Sequence, residues 1–285
     1  MTLLRTTGLC KSYNGRRVVD GVSFEVAEAE IVGLLGRNGA GKTTSFRMAI
    51  GMIEAEEGQV VFDGREVTGM PMYRHARLGM GYLAQEPSAF QRMTCEQNLL
   101  AILETRRDLS SRQRKQRARD LLAQFGLSHK AKDLARTCSG GERRKLEIAR
   151  SLITEPRLVL FDEPFSGVDP IAVEDLQREI RRLKDEGIAV LITDHNVQQT
   201  LRVCDRAYII DSGKVLKQGT PKALINDDMV RRVYLGSLFR GDEFDDSTDT
   251  TAHTKTEEAS SNGHPTPEGT TNAATRPDIP AEHRA

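Results

Sequence analysis

Between residues 3 and 35, apolar and polar positions alternate in short runs such as VVDGVSFEV, the period-two pattern of strands buried on one face. Residues 31–35, IVGLL, are apolar without interruption, the mark of a strand covered on both faces. A Gly-rich turn and a helical stretch follow at once. The period-two pattern returns in GQVVFDGREV, broken by the turn-forming pair Asp63-Gly64, and MGYLA (80–84) is another short buried strand. From about 94 to 137 the period lengthens. Leu99, Leu100, Ile102 and Leu103, then Leu121, Leu122 and Phe125, recur at helical spacing among many Arg and Lys. With the helix after them, they predict a helical subdomain inserted over about 94–153. LVLFD (158–162) and IAVLIT (188–193) are two further buried strands separated by a helix over about 171–186. AYIID and GKVLKQG close the body, with a helical end to Tyr234. Parallel strands joined by helices predict an α/β fold with a doubly wound sheet, an antiparallel β subdomain at its front and the helical insert in its middle.

The pattern stops near Gly241. Residues 242–285 hold only two large apolar residues, Phe244 and Ile279, and four of the ten prolines. They carry ten acidic against three basic residues, a net of −7, so the neutral whole chain has a body, 1–241, of +7. Such a segment buries too little apolar surface to offset its ordering entropy, and a disordered acidic tail is expected there. The longest uncharged apolar run, 31–36, is far short of the roughly 20 residues of a membrane-spanning helix. The N-terminal stretch has no secretory pattern. Cys10, Cys95, Cys138 and Cys204 are widely spaced with no C-x-x-C pair, indicating neither a zinc site nor a disulfide framework. Secreted, collagenous and integral-membrane classes are excluded on this reading, and a reduced cytosolic compartment is expected. The Arg-rich run 106–119 lacks interleaved aromatics and reads as the solvated face of a helix, not as a nucleic-acid surface.

Gly36-Arg37-Asn38-Gly39-Ala40-Gly41-Lys42-Thr43 fits G-x-x-x-x-G-K-[ST] between a strand and a helix. Glycines let backbone N–H groups curl around phosphate oxygens, and the helix N-terminus adds positive potential. Lys42 is placed to neutralise the β- and γ-phosphates of ATP and Thr43 to hold Mg²⁺, with Thr44 in the same helical turn. LVLFD ends in Asp162, a carboxylate for Mg²⁺, and Glu163 follows, placed to polarise an attacking water.

Ser139-Gly140-Gly141-Glu142, followed by RRKLEIARSLI, resembles the signature sequence of ATP-binding-cassette (ABC) ATPases. The resemblance implies a phosphate-loop core of ABC type in which the signature of one chain covers ATP held by the phosphate loop of another. That makes a homodimer, with Ser139, Gly140 and Gly141 facing the partner chain's nucleotide. It further implies that Tyr13 stacks on adenine and that Gln85 reaches Mg²⁺ and senses a membrane partner. Asp169, in Ser166-Gly167-Val168-Asp169, touches the opposite site, and His195 contacts the γ-phosphate. Three segments, HARLGMGYLAQEPSAFQRMT, LITDHNVQQTLRVCDRAYIIDSGKVLKQGTP and VRRVYLGSLFR, look like the ATPase subunits of lipopolysaccharide exporters, over about residues 3–240. ATPases of branched-chain amino-acid importers are the alternative, and a soluble non-transport cassette is a further one. Cys138 stands where Leu usually precedes the signature Ser, Ala84 replaces a Pro before Gln85, and Gln91 replaces a common Arg. The implied protein is peripheral on the cytoplasmic face of the inner membrane. Its transmembrane permease subunits insert a short helix into a groove that includes Phe90.

Overall fold

The computed structural model describes residues 1–235; the acidic extension 242–285 lies outside the described residues. Strands β1 (Thr2–Tyr13) and β2 (Arg16–Ala27) pair antiparallel across the Asn14-Gly15 turn, where both residues have positive φ (50° and 76°). β3 (Ile31–Gly36) is buried at every position, as its apolar run predicts, and leads into helix α1 (Lys42–Ala49). Strands β4 (Glu57–Phe62) and β5 (Arg65–Glu66) turn back on each other through Asp63 (φ 50°) and Gly64 (φ 71°). Two successive left-handed residues are what a tight hairpin turn of the right twist requires. The antiparallel sheet therefore runs β2-β1-β4-β5.

Helix α2 (Met72–Arg77) precedes strand β6 (Met80–Leu83). The helical insert then supplies α3 (Cys95–Leu103), α4 (Ser111–Gln124) and α5 (Gly140–Ser151). Strand β7 (Leu158–Asp162), helix α6 (Pro170–Asp185) and strand β8 (Ala189–Thr193) follow. Helix α7 (Val197–Leu201), strands β9 (Arg206–Asp211) and β10 (Lys214–Gly219), and short helices α8 (Pro221–Ile225) and α9 (Asp228–Val230) complete the order. The second sheet runs β10-β9-β3-β8-β7-β6, parallel except for β10. Parallel strands emit their loops on one side, so the turns after β3, β6, β7 and β8 gather at one sheet edge, where ligands bind in such folds.

The insert is not a separate body. Leu99, Leu121 and Phe125 share one continuous core with Val159 and Phe161 of β7 and Ile180 of α6. The basic run divides accordingly. On α4 only Ala118, Leu121 and Leu122 are buried; Arg112 and Arg119 are exposed as expected, whereas half-buried Arg114 turns back to donate to the Arg106 carbonyl (2.8 Å). Arg106 is not on that face: it precedes α4, pairs with Asp108 (2.8 Å) and Glu155 (3.3 Å), and donates to the Ile153 carbonyl (3.0 Å). A chain reversal there needs a cation for carbonyls that no helix satisfies.

Candidate active site

The phosphate-loop residues adopt backbone shapes that only glycine accepts. At Gly36 a Cβ would lie 2.1 Å from the Ile210 carbonyl, and Gly41 has φ 101° with the Val18 carbonyl 2.6 Å from any added Cβ. Gly41 caps α1 without a side-chain hydrogen bond, so the first amides of this helix are left to an anion. The buried Lys42 Nζ donates to the carbonyls of Gly36 (2.7 Å) and Arg37 (3.1 Å), two of its three donors, and burial pulls its pKa below the ordinary lysine value.

A cavity of about 520 Å³ opens on this loop, lined by Asn38, Gly39, Ala40, Gly41, Lys42, Thr43 and Thr44 together with Gln85, Glu163, Ser166 and His195. Residues from the ends of β6, β7 and β8 thus converge on one space. Arg37 faces a neighbouring cavity of about 590 Å³ that contains Arg16 and Arg17. Glu163 has φ 47°, a left-handed shape unusual for a side-chain-bearing residue, and its N–H is tied to the Thr193 carbonyl at 2.7 Å. Its Oε2 accepts from Gln85 Nε2 (2.8 Å) and lies 3.3 Å from His195 Nδ1. Gln85 therefore reaches the carboxylate of Glu163.

Asp162 is fully buried, and burial pushes its pKa upward. Its Oδ2 is held by Tyr82 OH (3.4 Å) and Arg47 (3.6 Å), whereas Oδ1 is buried without a partner. This unpaired carboxylate oxygen, with the Thr43 hydroxyl and the Gln85 amide oxygen of the cavity lining, makes up a set of hard oxygen donors, which fits Mg²⁺. Arg47, Tyr82 and Asp194 were invisible to motif reading. Asp194 is buried, accepts from the N–H groups of Phe165 (3.1 Å) and Asn196 (2.8 Å), and lies 3.5 Å from His195. Its place beside the expected histidine was the available signal.

Other expected residues lie away from this cavity. Tyr13, at the end of β1, is 43 % exposed. Ser139 caps α5 in a reciprocal box: its Oγ accepts from Glu142 N–H (3.2 Å), and Glu142 accepts from Ser139 N–H (2.8 Å). Accepting there leaves the hydroxyl hydrogen of Ser139 to donate outward. Gly140 lines a separate cavity of about 130 Å³ with Gln85 and Glu163. Gly141 abuts α6, where a Cβ would meet that of Ala172 at 2.8 Å. Asp169 caps α6 by accepting from Ala172 N–H (3.0 Å).

Helix α5 also grips the loop after β6. Buried Arg144 donates to the Ala84 carbonyl (2.7 Å) and pairs with Glu147 (3.2 Å), which accepts from Ser88 N–H (2.6 Å) and Ala89 N–H (3.0 Å). Arg150 lies over the Phe90 ring at 4.4 Å, and Phe90 is 43 % exposed. Asn98 of α3 completes the loop, bonding the N–H of Phe90 (2.7 Å) and its carbonyl (3.0 Å).

The loop, the carboxylate pair and the capped signature helix define a cassette ATPase, and comparison with known proteins agrees. A family described as ABC transporter matches residues 19–166, and the chain belongs to that family. It is 50% identical over 240 residues to the lipopolysaccharide export system ATP-binding protein LptB of Haemophilus influenzae, covering 84% of this chain and all of that protein. It is 49% identical over 240 residues to LptB of Escherichia coli K12, again over 84% of this chain and all of the relative. Among solved structures it is similar to the ADP conformation of the ATP-binding cassette MJ1267, with TM-score 0.75 and 29% identity over 83% of this chain and 99% of that one. Among the described residues, no helix is long and apolar enough to cross a membrane.

Proposed function

We propose that the chain is the ATP-hydrolysing subunit of a lipopolysaccharide exporter, working as a homodimer beneath transmembrane subunits at the cytoplasmic face of the inner membrane. The observation that carries the chemistry is the convergence of Lys42, Thr43, Gln85, Glu163 and His195 on one cavity. The substrate class is supported by the half-identity to LptB proteins along their whole length. ATP lies with its phosphates on the amides of the loop from Gly36 to Thr44 and its adenine on Tyr13. Lys42 offers its third donor to the β- and γ-phosphates. Thr43, Gln85 and Asp162 would hold Mg²⁺, which supplies neutralisation of phosphate charge when bound. Both contacts of Glu163 fall on Oε2, so Oε1 is the oxygen offered to the attacking water, whose proton it takes as the water oxygen bonds to the γ-phosphorus and ADP leaves. His195 orients Glu163 and reaches the γ-phosphate, held in turn by Asp194. Ser139, Gly140, Gly141 and Asp169 complete the site of the opposite chain, the Ser139 hydroxyl donating to its γ-phosphate. Purification in mild detergent should yield Mg²⁺-dependent phosphate release together with co-purifying membrane subunits. A chain that releases no phosphate, or that co-purifies with amino-acid permease subunits, would overturn the reading.

The cassette is complete before the acidic tail in this proposal, since every site residue precedes residue 196 and the described fold ends by Leu235. A chain stopped after Gly241 should fold and hydrolyse ATP within about twofold of the full chain at 0.1 M salt, where the Debye length is about 10 Å. At 0.01 M salt the comparison tests whether the −7 tail weakens binding of ATP to the +7 body. Loss of folding on truncation would refute the domain boundary.

A further inference from the structure

The four cysteines are spaced without pattern along the chain, yet the fold brings two of them together. The Sγ atoms of Cys95 and Cys138 lie 3.5 Å apart, both thiols free. Their approach is fixed by backbone on both sides. Cys95 opens α3 and its N–H donates to the Asp133 carbonyl (3.0 Å), and the Ala135 N–H donates to the Met93 carbonyl (2.9 Å). Thr94 and Leu134 form an antiparallel bridge between the same two segments. Cysteine adds a single rotatable bond to that frame, so the two sulfurs are kept facing each other. Cys138 is also the residue immediately before Ser139, the cap of α5.

We propose that Cys95 and Cys138 are a redox modification site, which a two-electron oxidant of the peroxide class converts to a disulfide that moves the signature serine. Cys138 is 5% exposed and Cys95 0%, so the oxidant meets Cys138 first. Burial pushes the Cys95 thiol up to about 12, so it is not the first to react with the oxidant, and its sulfur 3.5 Å away makes it the resolving group. The Cys138 sulfur attacks one peroxide oxygen and the O–O bond breaks; the departing hydroxide takes the Cys138 proton as water, leaving a sulfenic acid. The Cys95 sulfur then attacks the Cys138 sulfur, the S–O bond breaks, and the leaving hydroxide carries off the Cys95 proton as a second water. The two sulfurs lose two electrons and the peroxide gains them.

An S–S bond is about 2.05 Å long, so closing from 3.5 Å brings the two sulfurs together by about 1.5 Å, a movement shared between side-chain rotation and the two segments. Part of that movement falls on the residue beside Ser139. Resting on the proposed head-to-tail site, it displaces the hydroxyl from the partner chain's γ-phosphate, while Lys42 and α1, on other elements, keep their grip on nucleotide. Misplacements of this size cost tenfold or more in rate, on the order of 10²-fold for about 1 Å.

The test uses the full chain, reduced and then treated with hydrogen peroxide, and read by peptide mapping without reduction and by phosphate release. The expected result is a linked peptide joining Cys95 to Cys138, a fall in hydrolysis of about tenfold with retained binding of a fluorescent ATP analogue, and recovery of both with dithiothreitol. Cys95→Ser and Cys138→Ser should each abolish the link and the peroxide sensitivity while hydrolysing ATP when reduced; if one fails to fold, the other carries the comparison. Cys10 and Cys204 should remain unlinked. Oxidation that stops at a sulfinic acid on Cys138, or a link that leaves hydrolysis unchanged, would overturn the proposal. The linked peptide is read without ATP, so a reduced chain that hydrolyses nothing refutes the functional reading while the linkage itself is still decided.

Discussion

Glu163→Gln should bind ATP as the unaltered chain does and hydrolyse it about 10²-fold more slowly or worse. The amide keeps the shape of the side chain and can still meet Gln85 and His195, which lie 2.8 Å and 3.3 Å from Oε2. What it loses is an oxygen able to take a proton from water. Backbone strain sharpens the expectation. Glu163 sits at φ 47°, held there by the Thr193 carbonyl, so the main chain aims this one side chain at the cavity and no neighbour can substitute. With binding intact and turnover blocked, ATP-bound dimers should accumulate and be visible by size-exclusion chromatography with light scattering. Near-normal phosphate release from this variant would remove Glu163 from its role.

The second large effect is a recovery. Lys42→Ala removes the cation of the phosphate loop and Ser139→Arg fills the signature cap, and each alone should hydrolyse ATP about 10²-fold more slowly than the unaltered chain, or worse. If Lys42 of one chain and Ser139 of another serve the same ATP, a mixed dimer gathers both defects into one composite site and leaves the other intact. Mixing the two inactive proteins should restore up to about half the specific activity of a normal dimer for each mixed dimer formed. Mixed dimers shown to form, by differently tagged chains, without any recovery would rule out the head-to-tail arrangement. Self-association of each variant alone is measured in the same experiment, because Arg at the cap also breaks the reciprocal bonds with Glu142.

How far the sequence carries differs by element. The buried runs at 31–35, 158–162 and 188–193 became β3, β7 and β8, because uninterrupted apolar runs have few ways to be buried other than the centre of a parallel sheet. Lys42, Thr43, Asp162 and Glu163 were legible because each lies within a contiguous motif whose spacing is itself the geometry. Arg47 and Tyr82 were not, because their bonds to Asp162 join α1, β6 and β7, which only the tertiary fold brings together. Cys95 and Cys138 escaped for the same reason: 43 residues separate them along the chain and 3.5 Å separates their sulfurs. Asp169 and Ser139 were read for the opposite chain, and both also cap the helices they precede, a duty common to Asp and Ser wherever a helix starts.

Helix α5 carries Ser139 at one end and Arg150, over the Phe90 ring, at the other. Eleven residues of rise make a stiff rod of about 16 Å, and Arg144 and Glu147 bolt the loop of residues 84–89 to its middle. Phe90, the loop of residues 84–89 and the Ser139 cap are thus all attached to one helix. As a rigid rod of that length, the helix would carry its serine end by about 1.4 Å for a tilt of about 5° around its arginine end, so the positions of Ser139 and Arg150 are geometrically linked.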